Sequence, residues 1–271
     1  MTLLEQARRR FAEHLASRGF LDDPVQVRAR VLSTEEAIGR PAFSDLPILR
    51  GKEAMIEATF RKARGHAFTD APGDWSGALR EALALPLDRS HHRALLLATM
   101  NAVLRESGLI AGTVHCRNED VARCGEQMAD VLLQEFGPVR IGLVGYQPGL
   151  LGGLVNRFGA ERVRVTDLAQ SNIGRVVEGV EIWDGDGRTE ELVQNSDVLL
   201  VTGSAAANGT LDGIFARASA RGVPLIMFGV TGAAIAYLCG LRRLCPRAGD
   251  GIGGVSKGPS NVTRRKEGKA G

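Results

Sequence analysis

The sequence predicts an α/β protein in which an α+β domain precedes a doubly wound parallel sheet. Two residue patterns support this prediction. Alternation of apolar and polar residues is typical of half-buried strands, and it occurs at 25–31, 54–60 and 63–69. Continuous apolar runs are typical of parallel strands that are buried on both faces, and they occur at 139–145, 162–168, 196–203 and 223–229.

Helices are predicted between these strands, where apolar residues recur at helical spacing. In the first half they lie at about 1–20, 76–84, 90–107 and 118–136. The short link Arg61–Lys62 predicts a hairpin of the second and third strands. In the second half, helices at 150–158, 210–220 and 232–238 alternate with the strands, and VEIW at 180–183 is a further short strand. This alternation indicates βαβ units and a Rossmann-like sheet.

The chain is therefore divided into an α+β domain at 1–136, a Rossmann-like domain at 137–246 and a tail at 247–271. The tail is rich in Gly, Lys and Arg and nearly free of large apolar residues, which predicts disorder. Its six basic and two acidic residues give it a charge of +4, whereas the whole chain carries +3. The body is thus left at −1, which argues against a nucleic-acid partner.

Hydropathy and cysteine usage indicate the compartment. No apolar run approaches the roughly 20 residues of a membrane-spanning helix, and the first segment is an amphipathic helix rather than a signal peptide. We expect no membrane partner and a cytoplasmic location. The four cysteines, Cys116, Cys124, Cys239 and Cys245, form no Cys-x-x-Cys pair, so neither a zinc-ribbon nor a thioredoxin pattern is present. Free thiols are expected in such a chain.

Glycines and polar residues follow the apolar strands, and open parallel sheets bind ligands beyond the carboxyl ends of their strands. At these ends we predict the ligand-binding residues Gly145, Gln147, Pro148, Asp167, Thr202, Gly203, Ser204, Asn208, Thr210, Gly229 and Thr231. Loops of this kind present backbone N–H groups to anions. The segment 201–213 is the richest, although Asn208 or Thr210 also suits the N-cap of the following helix.

The sequence contains only part of the motif that is typical of dinucleotide-binding sites. GYQPGLLGG has Gln147 where the dinucleotide fingerprint has its second glycine. Asp167 lies 22 residues after Gly145, where nucleotide-binding folds place a carboxylate that binds the ribose. The alternative for Asp167 is a cap or turn residue. NAD or an adenosyl ligand such as S-adenosylmethionine is therefore one alternative among several.

Two further segments of the first half contain candidate site residues. Phe43-Ser44-Asp45 and Phe68-Thr69-Asp70 repeat the same residue types, and Asp70 joins the predicted ligand-binding residues. In GTVHC, His115 and Cys116 are candidate metal ligands, and Cys116 is the better one. Neighbouring side chains on an extended chain project to opposite faces, which argues against both binding one ion. A structural turn is the alternative for this segment.

Seven segments in order resemble a family of bacterial and archaeal proteins labelled putative heavy-metal chelation domain. They are GRPAFSD, RGHAFTD, NAVLRESGLIAGTVHC, GYQP, SNIG, TGSAAANGT and FGVTGAA, followed by CGLRRLCP, between about residues 35 and 246. The resemblance implies an N-terminal domain like the small domain of enolase, a Rossmann-like domain, and a ligand site in the cleft between them. It adds Asn172 of SNIG to the predicted ligand-binding residues. His66 stands where the family leads us to expect an amide.

Three functions are compatible with these residues. The first is the handling of a small molecule or metal chelate, in which a transition metal ion is bound by soft ligands (Cys116, Cys239, Cys245, His115) or by carboxylates (Asp45, Asp70, Asp167). The second is a transferase or lyase with an anionic or nucleotide-like ligand at the strand ends. The third is a non-catalytic ligand-binding module. Because no Ser-His-Asp order, nucleophile elbow or Walker loop occurs, hydrolase and NTPase functions are disfavoured. The sequence leaves open whether the chain is an enzyme or a homo-oligomer.

Overall fold

A computed structural model describes residues 1–21, 26–40 and 54–249 of the chain. The predicted Phe43-Ser44-Asp45 cluster lies outside the described residues, and so does the predicted tail from residue 250 onward. Within the described part, the chain folds into one antiparallel and one mostly parallel sheet, with helices on both. The predicted α/β class is therefore confirmed. The finer names, enolase-N-terminal-like and Rossmann-like, stay predictions.

The antiparallel sheet contains β1 (Gln26–Leu32), β2 (Ala54–Phe60), β3 (Ala63–Thr69) and β4 (Trp75–Ala78), in the order β3-β2-β1-β4. The predicted hairpin is confirmed, since Ala54 pairs with Thr69 and Phe60 with Ala63. The helix predicted from residue 76 is wrong at its start. Residues 75–78 pair with β1 as an edge strand, and helix α3 begins only at Leu79.

Helices pack closely on this sheet. In chain order the first half contains α1 (Leu3–Ser17), α2 (Thr34–Ile38), α3 (Leu79–Ala84), α4 (Ser90–Glu106) and α5 (Asp120–Phe136). The backbone of α4 lies directly on β3 at Gly65, where a Cβ would overlap the backbone of Ala98 and Ala102. This close approach places the end of β3 next to the second half of the chain, because α4 also packs against helices that follow the parallel strands.

The second sheet has six parallel strands, β5 (Ile141–Val144), β6 (Val163–Asp167), β8 (Val180–Asp184), β9 (Val198–Thr202), β10 (Leu225–Phe228) and β11 (Arg242–Leu244), and a short antiparallel edge strand, β7 (Val176–Val177). Their order is β11-β10-β9-β5-β6-β8-β7. The chain order reverses on either side of β5, so a topological switch point lies between β5 and β9. Ligands of doubly wound sheets bind at such a point.

Five helices flank the second sheet: α6 (Pro148–Phe158), α7 (Gly185–Gln194), α8 (Ser204–Asn208), α9 (Leu211–Arg221) and α10 (Ala233–Cys239). The predicted helices at 150–158, 210–220 and 232–238 are confirmed. The strands β7 and β11 and the helices α2, α7 and α8 are additional to the prediction. Residues 204–208 form a single helical turn where the sequence suggests a loop.

The core explains why β9 is a continuous apolar run. Leu199 and Val201 of β9 pack into one buried cluster with α1 and α4, while Val198 and Leu200 pack into a second cluster with α5 and α6. Both faces of the sheet are therefore buried. Because α5 packs on α6 although it precedes residue 137, the predicted domain boundary at 136 stays a prediction. None of the described helices is long and apolar enough to cross a membrane.

Candidate functional site

A cavity of about 660 Å³ lies between the carboxyl ends of the parallel strands and the end of β3. Most of the predicted site residues line it, namely Asp70, His115, Cys116, Gly145, Gln147, Asp167, Thr202, Gly203, Ser204, Asn208, Thr210, Gly229 and Thr231. Pro148 and Asn172 are not among the lining residues. The structure thus brings together residues that are far apart in the sequence, while their role in ligand binding stays a prediction.

Glycines shape the cavity wall where backbone segments meet. Gly145 has φ +92°, and a Cβ there would come within 2.6 Å of the Thr202 side chain. A Cβ on Gly203 would overlap the backbone nitrogen of Gly232. The loops after β5, β9 and β10 are therefore in close contact, and any larger residue at these positions would separate them.

Gln147 and Pro148 begin helix α6. The Gln147 side chain accepts a hydrogen bond from the Leu150 N–H as the N-cap, and Pro148 occupies the first helical turn, where it needs no backbone donor. Pro148 is buried and does not face the cavity. Pro148 is predicted as a site residue because it follows Gln147 in the sequence. In the structure it is the first residue of α6.

The Asp167 side chain connects the loop after β5 to the loop after β6. Its Oδ2 accepts a hydrogen bond from the Tyr146 N–H (2.7 Å), and its Oδ1 accepts from the Ala169 N–H (2.8 Å) and from Asn172 Nδ2 (3.2 Å). The turn role considered from the sequence is thus present. Asn172 is buried behind Asp167 and orients that carboxylate. Since three donors already engage Asp167, the geometry gives no support for ribose binding by this residue.

The loop 201–213 places its polar groups in a defined pattern. The Asn208 Oδ1 accepts hydrogen bonds from the Thr210 N–H (3.0 Å) and hydroxyl (2.8 Å), so it closes a turn before α9. Neither residue caps α9 through its side chain, because Thr210 holds the N-cap position without a side-chain bond. The Ser204 N–H donates to the Thr202 hydroxyl (3.3 Å). Among the described residues, the Ser204 hydroxyl has no hydrogen-bond partner and lines the cavity.

Backbone hydrogen bonds join the GTVHC segment to β3 and to Gly249. His66 N–H donates to the Thr113 carbonyl (2.9 Å), and Gly249 N–H donates to the Val114 carbonyl (2.7 Å). The chain is irregular after this point, and His115 and Cys116 both line the cavity, with 3.9 Å between Nδ1 and Sγ. The expectation that these neighbours face opposite sides is therefore wrong, because it assumes an extended chain.

His115 is held as a neutral imidazole with a fixed tautomer. Its Nδ1 lies 2.6 Å from the Cys116 carbonyl oxygen, so Nδ1–H is the donor and Nε2 remains an acceptor. Burial lowers the pKa of His115 below its ordinary value. A neutral imidazole whose Nδ1–H is bound to a carbonyl is the form in which histidine binds metals through Nε2.

Two further cysteines reach the same wall. Cys124 of α5 and Cys245 after β11 line the cavity beside Cys116 and are 5% and 3% exposed. The pKa of the Cys124 thiol is raised to about 12 by the hydrogen bond between Cys124 and Cys116. Cys124 also interacts with Cys245 through a hydrogen bond. That bond and burial raise the pKa of Cys245 well above its ordinary value. Both thiols are therefore protonated at neutral pH.

The sequence predicts Cys245 only as one of several soft ligands and Cys124 as a free thiol. No spacing motif relates them, because they come from α5 and from the segment after the last strand. Cys239, predicted with them, lies elsewhere and donates to the Leu3 carbonyl (3.3 Å). In the described ranges, no three His, Cys, Asp or Glu side chains converge as a preformed metal site would require.

His66 lies behind the cavity wall and is 2% exposed. Its Nδ1 accepts a hydrogen bond from the His115 N–H (3.2 Å), which leaves Nε2–H to donate to Glu57 (3.0 Å). Burial lowers the pKa of His66, and the hydrogen bond from His66 lowers the pKa of Glu57. His66 thus supports the backbone of His115 from behind the cavity wall.

We expect the free energy of unfolding to fall as the pH is lowered from 7.5 to 5.5. The unfolded chain binds a proton at His66 below about pH 6.5, whereas burial lowers the pKa of His66 in the folded chain. Acid therefore favours unfolding, by about 1.4 kcal/mol for each pH unit over which only the unfolded chain is protonated. Urea denaturation at both pH values measures the change. His66→Gln should reduce the pH dependence, and an unchanged slope in that variant would contradict the assignment.

The model of a family described as "DUF364: Putative heavy-metal chelation" matches residues 127–241. For residues 127–241, this match confirms the resemblance that the sequence segments indicate. No curated protein matches the chain significantly.

Solved structures also resemble the chain. One is a DUF364 protein of unknown function from Pyrococcus horikoshii, with 16% identity, 85% of this chain and 80% of that chain covered, and a TM-score of 0.48. Another is a DUF364 protein of unknown function from Desulfitobacterium hafniense, with 16% identity, coverages of 68% and 71%, and a TM-score of 0.43. A mandelate racemase/muconate lactonizing enzyme from Roseiflexus follows with 12% identity, coverages of 65% and 75%, and a TM-score of 0.25. Similarity at this level gives no information on activity.

Proposed function

We propose that this chain, whose residues 127–241 match the DUF364 family, binds a small metal chelate in its cavity. One observation supports the proposal above all others. Two kinds of group line the cavity, namely hydroxyl, amide and backbone groups (the strand-end wall) and thiols with an imidazole (the sulfur wall). A metal chelate also combines an oxygen- and nitrogen-rich organic part with a metal centre.

The strand-end wall suits the organic part of such a ligand. Thr202, Ser204 and Asn208 line it, and the hydroxyl of Ser204 has no partner among the described residues. Asn208 uses its Oδ1 for the turn with Thr210, which leaves its Nδ2 donors for a ligand oxygen. A few placed polar groups in a largely apolar cavity are typical of small-molecule sites.

The sulfur wall suits the metal. Thiols and neutral imidazole are ligands of transition metals rather than of Mg²⁺ or Ca²⁺. Cys116, Cys124, Cys245 and His115 all line this wall. Because no three of the described ligand-type residues form a preformed site, the chelator itself would supply the remaining coordination positions. The metal is then cargo of the protein.

The alternative of a transferase or lyase with a nucleotide-like ligand receives no support from the geometry. Asp167, the expected ribose ligand, is engaged by Tyr146, Ala169 and Asn172. His66 is bound to Glu57 behind the wall, so it does not reach the cavity as a general base. We therefore propose binding, with no chemical step assigned.

The proposal is tested by calorimetric titration with citrate and histidine complexes of Fe(III), Ni(II), Cu(II) and Zn(II). We expect at least one complex to bind with a Kd below about 10 µM, about −7 kcal/mol. Ser204→Ala and Asn208→Ala should each weaken that binding about 5- to 10-fold, the effect of one lost hydrogen bond. Ser219→Ala, an exposed serine of α9, is the matched control. Binding that both cavity variants leave intact would place the ligand elsewhere, and the absence of binding would refute the proposal.

A further inference from the structure

Three of the four cysteine side chains line the cavity. We call Cys116, Cys124 and Cys245 the thiol cluster. All three are buried, line the cavity and pack into the same apolar cluster. None of them is joined in a disulfide with another described cysteine. The fourth cysteine, Cys239, lies outside this group and provides an internal control.

A buried cation lies beside the thiol cluster. Arg243 is 1% exposed and lies two residues before Cys245 in the chain. Its hydrogen bonds go to backbone carbonyls only, from NH1 to Gly112 (3.1 Å) and Gly229 (3.2 Å) and from NH2 to Ala111 (2.8 Å). Its Nε has no partner, and no carboxylate of the described residues forms an ion pair with it. A buried charge without a counter-charge is strongly unfavourable.

We propose that the thiol cluster is a binding site for a soft monovalent metal ion of the Cu(I) type, bound by the sulfurs of Cys124 and Cys245 beside Arg243. This deepens the proposed function, on which it rests, by naming the class of metal that the sulfur wall receives. Cys116 lies next to this pair as a third sulfur.

The charges balance when such an ion binds. Two thiols lose their protons to solvent, two metal–sulfur bonds form, and the oxidation state of the metal does not change. The resulting bis-thiolate complex of a monovalent cation carries a charge of −1. Arg243, with its charge of +1, then has the counter-charge that the described residues do not provide. The complex and Arg243 together are therefore neutral.

The coordination requirements select against other metals. Structural zinc takes four ligands in a tetrahedron, and Ca²⁺ takes six to eight oxygens, whereas no three ligand-type side chains of the described residues converge. A linear d¹⁰ ion needs only two sulfurs. Soft thiolate ligands favour soft metal ions such as Cu(I).

The test is an anaerobic titration of the full chain with Cu(I), in competition with the chromophoric chelator bicinchoninate. We expect one Cu(I) per chain. Cys124→Ser and Cys245→Ser, which keep the side-chain shape, should each weaken binding at least 100-fold, as expected for the loss of one of two ligands, while Cys239→Ser should bind as the wild type does. Arg243→Met should weaken binding more than Arg243→Lys, because only the lysine keeps the charge. Circular dichroism of each variant verifies that it is folded.

Two results would overturn the proposal: equal Cu(I) binding by the wild type and the Cys124→Ser/Cys245→Ser double variant, or an equal loss in Cys239→Ser. The experiment also separates this inference from the proposed function. Ser204→Ala and Asn208→Ala should leave Cu(I) binding unchanged, because they change only the strand-end wall. If the chain binds a citrate or histidine complex but not Cu(I), this inference fails while the proposed function stands. If Cu(I) binds at the cluster but no complex binds, the proposed function fails.

Discussion

Replacement of Asn101 by alanine is expected to lower the free energy of unfolding by about 3 kcal/mol, because several buried hydrogen bonds are lost at once. Asn101 is fully buried in α4. Its Nδ2 donates to the carbonyls of His66 (2.9 Å) and Val230 (3.0 Å), and its Oδ1 accepts from the Ala234 N–H (2.7 Å). One side chain thus joins β3, the loop after β10 and the start of α10.

Urea denaturation followed by circular dichroism measures this loss. Asn195→Ala is the matched control, because Asn195 is exposed and its amide makes one hydrogen bond, to the Glu191 carbonyl (2.8 Å). We expect the control to change stability by less than about 1 kcal/mol. A loss below about 1 kcal/mol in Asn101→Ala would show that the two halves are joined mainly by apolar packing instead.

These hydrogen bonds fix the distance between the end of β3 and the loop after β10, which lie on two sides of the cavity. The Phe68 N–H donates to the Thr231 hydroxyl (3.0 Å) next to the Asn101 contacts, so the end of β3 is bound to the loop after β10. Asp70 lies just beyond this contact on the β3 side, and Gly229 on the other. The cavity is therefore built by cross-links between the halves rather than by either half alone.

The strands that can be predicted from sequence are those whose pattern reflects complete burial or strict alternation. β2 and β3 begin and end where the alternation does, and β9 is a continuous apolar run because both its faces are covered. The strands β7 and β11 escape prediction since two or three residues give no periodicity, and their pairing depends on neighbours that are distant in sequence. The strand at 75–78 escapes it because only its pairing with β1 distinguishes it from a helix start.

The candidate site is predictable at the strand ends, where a general rule of parallel sheets applies. Pro148 and Asn172 do not line the cavity but lie next to lining residues, Pro148 in the first turn of α6 and Asn172 hydrogen-bonded to Asp167. The thiol cluster cannot be assembled from sequence, because Cys124 and Cys245 are brought together only when α5 packs on the sheet beside β11. The position of His115 and Cys116 on one wall depends equally on an irregular backbone that no residue pattern reveals.

Helices α5 and α6 touch backbone to backbone, and this contact leads to the second large effect. A Cβ on Gly125 of α5 would overlap the carbonyl group of Gly149, and a Cβ on Gly153 of α6 would lie 2.8 Å from the Gly125 carbonyl oxygen. Both neighbours are backbone atoms, which cannot move aside as a side chain can. The two glycines therefore set the distance between the helices, and with it the position of Cys124.

We expect Gly125→Ala to lower the free energy of unfolding by about 3 kcal/mol, at the upper end of the cost of overpacking, because the helices must separate. Gly152→Ala is the matched control, since a Cβ on Gly152 of α6 would meet no atom within 4 Å and the variant should gain about 0.5–1 kcal/mol from helix propensity. Urea denaturation of both variants measures the opposite signs. Equal effects would show that α5 and α6 are free to separate, and the position of Cys124 would then not depend on this contact.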